Sequence, residues 1–255
     1  MKLKDEKITR AIVEEYMESF LESTDVDVCL AGAGPANLTA AKYLAEEGIQ
    51  TVIFEENLSV GGGMWGGGMM FPRIVVQEEA KEILDEFGIE HREYDEGYFV
   101  ANSIEGVCRL TTEAIEAGAE IFNCIRVEDV MVREGDKISG LVINWNPVKK
   151  TGMHVDPLSI KSKIVIDGTG HDAEICRLVE EKIPDADLEI PGERPMWADA
   201  GEQAVVNATK EIHPNLIVSG MAANNVAAKQ RMGPIFGGML LSGRKSAEIA
   251  MEKLD

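Results

Sequence analysis

The chain has 255 residues, 45% of them hydrophobic, enough for the core of one large domain or two small ones. Lys plus Arg number 25 against 45 Asp plus Glu. The resulting net charge of −20 repels phosphate backbones and anionic lipid, and argues against nucleic-acid and membrane partners.

Residues 8–22, ITRAIVEEYMESFLE, put Ile8, Ile12, Tyr16, Phe20 and Leu21 on one stripe. The period is near that of an amphipathic helix, expected to pack on another element or another subunit. Next comes DVDVCLAGAGPANLTAAKYLAEEGIQTVIFEEN. It reads as a strand over 26–31, a Gly turn, a helix over 35–47 and a strand over 51–55, one βαβ unit with a right-handed crossover. Two glycine triplets follow, 61–63 and 66–68, in GGGMWGGGMMFP. Residues 77–87 and 103–117 have helical patterns. Residues 119–133 and 137–146, either side of Glu134-Gly135-Asp136, read as a β-hairpin. SKIVIDGTGHD is a strand ending in a Gly turn, and 171–182 is predicted helical. Residues 183–212 are Pro-containing and read as irregular, a cover or contact segment for the site. NLIVSG is a further strand, and 233–254 is a Gly-rich turn into a long helix. The chain order is βαβ, an inserted β-rich piece over about 119–160, then a return to the first sheet. The predicted fold class is α/β, Rossmann-like, in a single dinucleotide-binding-type domain.

The four cysteines, Cys29, Cys108, Cys124 and Cys176, show no CxxC spacing, as expected of a reduced, intracellular chain. No run approaches ~18 apolar residues, and MKLKDEK lacks the apolar core of a signal peptide, so the expected compartment is the cytoplasm.

Gly32-Ala33-Gly34-Pro35-Ala36-Asn37 follows a strand and opens a helix. Gly32 allows the tight turn, and Gly34 lets a pyrophosphate approach backbone N–H groups at the helix N-terminus. Asn37 stands where a third glycine is usual, so a wider strand–helix contact is expected there. Glu55, at the end of the second strand, is placed to accept hydrogen bonds from ribose hydroxyls, with Glu56 as the neighbouring candidate. An acid there disfavours a 2′-phosphate, so NAD or FAD fits better than NADP. The glycine triplets give backbone that can lie against a ligand. After the second Gly turn, Val165–Gly170, come His171 and Asp172. Taken alone, a histidine there is a structural residue. Paired with Asp156, fifteen residues earlier in TGMHVDP, it offers an imidazole nitrogen and a carboxylate that suit Fe(II) or another divalent metal. Two ligands are too few for a closed structural site and leave positions for substrate. Arg231, before the last Gly turn, has a fork that can clamp a substrate carboxylate or make a surface salt bridge.

GAGPAN with FEEN, GGGMWGGGMMFP, TGMHVDP, GTGHD and QRMGPIFGGMLLSG together resemble the thiamine thiazole synthase family in its archaeal form. The resemblance spans about residues 8–252. It implies a homo-octamer in which NAD is a substrate: nicotinamide leaves, the ring-opened ADP-ribose condenses with glycine, sulfur enters, and dehydration closes ADP-thiazole carboxylate. It implies Fe(II) held by Asp156 and His171, a pair that neighbouring protomers can supply between them. It places Ala36, Glu55, Glu56, Gly63, Val127, Met221 and the backbone of His154, Val155 and Asp156 near the nucleotide, and Arg231 on glycine's carboxylate. Eukaryotic members carry at the position of His154 a cysteine that surrenders its sulfur. An imidazole has none to give, so free sulfide and repeated turnover are expected here. A flavin-dependent oxidoreductase, a non-catalytic NAD-binding module and a sugar-bisphosphate synthase or isomerase are the competing readings.

Overall fold

Alternation along β1 (Asp25–Ala31) divides the interior into two layers. In the computed structural model, which describes residues 2–254, Val28 and Leu30 join a cluster with Leu38, Leu44, Ile53 and Leu240. Cys29 and Ala31 point the other way, to Val52, Phe54, Ile125, Leu141 and Val179. A strand buried on both faces needs this near-continuous apolar run.

The main sheet runs β10-β11-β9-β1-β2-β6. Here β2 is Thr51–Glu55, β6 Glu120–Asn123, β9 Leu158–Asp167, β10 Lys210–His213 and β11 Leu216–Val218. All pairings along it are parallel except that of β10 with β11. Between β1 and β2 lies α2 (Pro35–Glu46), started by Pro35 in its first turn. The long α9 (Gly237–Leu254) packs beside α2, with α3 (Glu78–Glu86) and α4 (Ser103–Glu116) in the same layer. α6 (Glu174–Lys182) and α8 (Gly220–Val226) cover the opposite face. This is a Rossmann-like α/β architecture.

The β-rich segment is joined to that sheet rather than set apart from it. Cys124 has φ +59° and breaks the expected first arm of the hairpin in two. The piece before it is β6, parallel to β2; the piece after it is β7 (Ile125–Arg133). β7 pairs with β8 (Lys137–Trp145), and β8 pairs antiparallel with the start of β9. A second sheet, β3-β5-β4, carries Arg73–Gln77, Tyr98–Asn102 and His91–Asp95 and has no counterpart among the elements expected from the sequence. Residues 183–212 are less irregular than expected, since they contain α7 (Ala198–Ala208). The first helix, α1 (Asp5–Glu22), has no buried residue. Its Tyr16 and Phe20 reach the body, edge-on to Phe122. Among the described residues, no helix is long and apolar enough to cross a membrane.

Candidate active site

The carboxyl ends of β1, β2 and β9 open into a cleft of about 1100 Å³, larger than a typical drug-sized pocket. Gly32, Gly34 and Ala36 from the first turn line it, with Glu55, Glu56, Gly63, Val127, His171, Met221 and Arg231. The two Gly turns stand against each other. Gly32 has φ +86°, and a Cβ on it would lie 2.8 Å from the Gly168 carbonyl. Asn37 is fully buried where the two turns meet. Its buried Nδ2 donates to the carbonyls of Ala31 and Gly32 at 2.9 and 2.8 Å, and its Oδ1 accepts from Ser219 Oγ at 3.0 Å. The clearance comes from Gly168, where a Cβ would fall 2.4 Å from the Asn37 side chain.

Glu55 is nearly buried and heavily used. Its Oε2 accepts from Ala33 N at 2.8 Å, and its Oε1 accepts from the backbone and side chain of Asn57, both at 2.8 Å. The carboxylate thus fixes the first turn against the end of β2, and its remaining lone-pair capacity is left for a ligand hydroxyl. Glu56 pairs with Arg126 at 2.6 Å, and the same guanidinium reaches Glu174 at 2.5 Å. Arg231 is in no ion pair among the described residues, although acids outnumber bases in the chain. The surface salt-bridge reading of Arg231 therefore has no partner, and its fork is available to an anion. On α7, Glu202 is buried, and its Oε2 accepts from Gly238 N at 2.5 Å at the start of α9. Burial pushes the Glu202 carboxyl up to about 7, against the opposing effects of Gly238 N and Gln77.

A Thi4 family model matches residues 9–236. The chain belongs to the Thi4 family of thiamine thiazole synthases. It is 65% identical to the thiamine thiazole synthase of Methanothrix thermoacetophila, covering 100% of this chain and 98% of that one. Against the thiamine thiazole synthase of Pyrococcus furiosus the identity is 52%, with 99% of each chain covered. The crystal structure of Thermovibrio ammonificans THI4 superposes with a TM-score of 0.97 at 44% identity, over 100% of this chain and 99% of that one. A geranylgeranyl bacteriochlorophyll reductase-like protein from Thermoplasma acidophilum shares the fold at a TM-score of 0.56 and 15% identity, over 90% of this chain and 79% of that one.

Within one Thi4 chain the residues read from the sequence fall into two places. His154, Val155 and Asp156 are not in the cleft. They lie on an exposed strap between α5 (Asn146–Thr151) and β9. Gly152 starts it in the left-handed region at φ +68°, and Asn144 Nδ2 pins it through the Val155 carbonyl at 2.9 Å. Among the described residues, no three His, Cys, Asp or Glu side chains gather as a metal cluster. Cys176 is no nucleophile candidate: it is fully buried, and burial followed by the adjacent Asp167 carboxylate raises its thiol pKa. Cys29 is buried too, its thiol pushed up to about 12. Sequence reasoning missed Arg126, Glu193 and Arg194, which line the cleft. Arg126 sits on a strand and the other two in a stretch read as irregular, with no motif to mark them.

Proposed function

We propose that this chain is a thiamine thiazole synthase that converts NAD, glycine and free sulfide into ADP-thiazole carboxylate, with loss of nicotinamide, in a cytoplasmic homo-octamer. The observation that carries this reading is a single cleft lined both by a dinucleotide-type turn and by His171 and Arg231. The Gly32–Ala36 turn and the N-terminus of α2 cradle the pyrophosphate with backbone N–H groups. Glu55 and Glu56 accept from ribose hydroxyls, and Gly63 lets backbone lie flat against the nucleotide. Val127 and Met221 give it apolar walls. Arg231 clamps the glycine carboxylate with two parallel hydrogen bonds, orienting the amine toward the ribose-derived carbonyl.

An imidazole nitrogen from His171 and a carboxylate oxygen from Asp156 suit Fe(II) chemically. When bound, Fe(II) supplies a Lewis acid with open positions for substrate atoms and for sulfide. Asp156 stands on an exposed strap, so a neighbouring copy presents it, with His154 and Val155, to the cleft that holds His171. The strap's Met153 and Val155, and Leu158 at the start of β9, are exposed, as contact between copies requires. His154 carries no sulfur, which leaves free sulfide as the donor.

Mass spectrometry of the small molecule that co-purifies with the protein tests this reading. An ADP-thiazole adduct or its ADP-sugar precursor is expected. Bound FAD, or a pentose bisphosphate, would overturn it in favour of an oxidoreductase or a sugar-bisphosphate enzyme.

A further inference from the structure

His171 has two ring nitrogens, and only one of them can meet a metal in the cleft. Its Nδ1 lies 2.7 Å from Oε2 of Glu193. The contact joins segments 22 residues apart, the 3-10 turn Gly170–Asp172 and the extended stretch before α7. Both residues line the cleft. A neutral imidazole facing a carboxylate keeps its proton on Nδ1 and leaves the Nε2 lone pair for another partner.

Both ends of this contact are held. The His171 carbonyl accepts from Asn225 Nδ2, and the Asp172 carbonyl accepts from Arg177 Nε at 3.0 Å. The backbone under the imidazole is therefore fixed, and ring rotation is the freedom that Glu193 removes. Glu193 starts a stretch zipped to the one carrying Arg231. Arg194 N donates to the Lys229 carbonyl at 2.8 Å, Arg231 N to the Arg194 carbonyl at 3.1 Å, and Trp197 N to the Arg231 carbonyl at 3.0 Å. One clasp thus sets the His171 imidazole and the Arg231 guanidinium together. The side chain of Glu193 is 22% exposed and that of His171 48%, so the carboxylate is the better shielded of the two.

We propose that Glu193 is a positioning residue, whose carboxylate holds His171 Nδ1–H so that the Nε2 lone pair is presented to a divalent metal in the cleft. This rests on the reading of His171 as a metal ligand. A carboxylate behind the ring fixes the tautomer and raises ligand basicity, and losing such a partner typically weakens metal binding about 10–100-fold.

The test uses the full-length protein and two readouts that need no turnover. The first is ¹⁵N magic-angle-spinning NMR of the metal-free, histidine-labelled protein, with the His171 signals assigned by their loss in H171A. Wild type is expected to show Nδ1–H with an unprotonated Nε2, and E193A a mixture of tautomers. A wild-type Nε2–H tautomer overturns the proposal without any Glu193 variant. The second is anaerobic Co(II) titration followed by visible absorption. E193A is expected to bind Co(II) about 10–100-fold more weakly, E193Q less so because its amide oxygen still accepts, and H171A not measurably. E193A binding like wild type while H171A fails overturns the role of Glu193 alone. E193Q failing as H171A does makes Glu193 itself a ligand and also overturns it. H171A binding undiminished removes the underlying reading of His171.

Discussion

Asn37 holds a place where a glycine is usual, and the fold tolerates it because the glycine that clears the contact stands at position 168 instead. That exchange is invisible in sequence, since the two residues lie far apart in the chain and meet only across the Gly turns. Glu55 is legible as an acid at a strand end; that its carboxylate also ties the first turn to the end of β2, through Ala33 and Asn57, is not. Glu202 has no sequence signal at all. Its proton affinity is a consequence of burial under α9, first, with the Glu79 charge adding to it. The folded chain holds that proton more tightly than the unfolded one, whose carboxyl titrates near its ordinary 4.5. Its contribution to stability is therefore fully present below that value and is lost as pH rises from 4.5 to about 7. Glu202→Gln keeps an acceptor for Gly238 N and loses the charge. Its Tm is expected to fall less than that of wild type between about pH 5 and pH 8, by an amount reflecting about 1 kcal/mol or more. Parallel Tm–pH curves for the two proteins would contradict this.

At the scale of elements, the βαβ unit, α3, α4 and α9 follow from periodicity and turn residues because each has one clear apolar face or run. The β3-β5-β4 sheet does not. β4, His91–Asp95, is charged and almost wholly exposed, so it carries no alternation to read. α7 escapes sequence reading because its small and polar residues bury only Gly201, Glu202, Val205 and Ala208. The tight contact of α2 with α9 depends on Gly243, where a Cβ would lie 2.2 Å from the Ala36 carbonyl oxygen and 2.8 Å from Thr39 Cβ. Gly63 is the opposite case: a Cβ there would meet nothing within 4 Å, and its φ is not positive. Gly243→Ala is expected to lose about 2 kcal/mol or more by overpacking, read in urea denaturation. Gly63→Ala is expected to keep its stability and to weaken NAD binding in calorimetry. Equal stability losses in the two variants would refute this division between a packing glycine and a ligand-facing one.

The whole molecule exposes apolar surface in several places, two of which bear on how copies of the chain assemble. α1 presents Ile8, Ile12, Val13, Met17 and Leu21 to solvent, and the strap with the start of β9 presents Met153, Val155 and Leu158. The amphipathic pattern of α1 was legible; the separation of Asp156 from the cleft was not, because sequence spacing cannot tell one chain from its neighbour. If copies share sites, a mixture of Asp156→Ala and His171→Ala proteins, each inactive alone, is expected to regain partial activity after co-assembly. No recovery from confirmed mixed assemblies would mean that Asp156 and His171 must come from the same chain. Ile12→Asp with Leu21→Asp is expected to reduce the assembly mass in sedimentation. The source of sulfur decides the central claim, and counting products per chain measures it. Purified protein is given NAD, glycine, Fe(II) and sulfide under anaerobic conditions, and ADP-thiazole carboxylate is quantified against protein. Many products per chain, dependent on added sulfide, are expected. One product per chain without sulfide, accompanied by loss of a protein sulfur, would contradict the account.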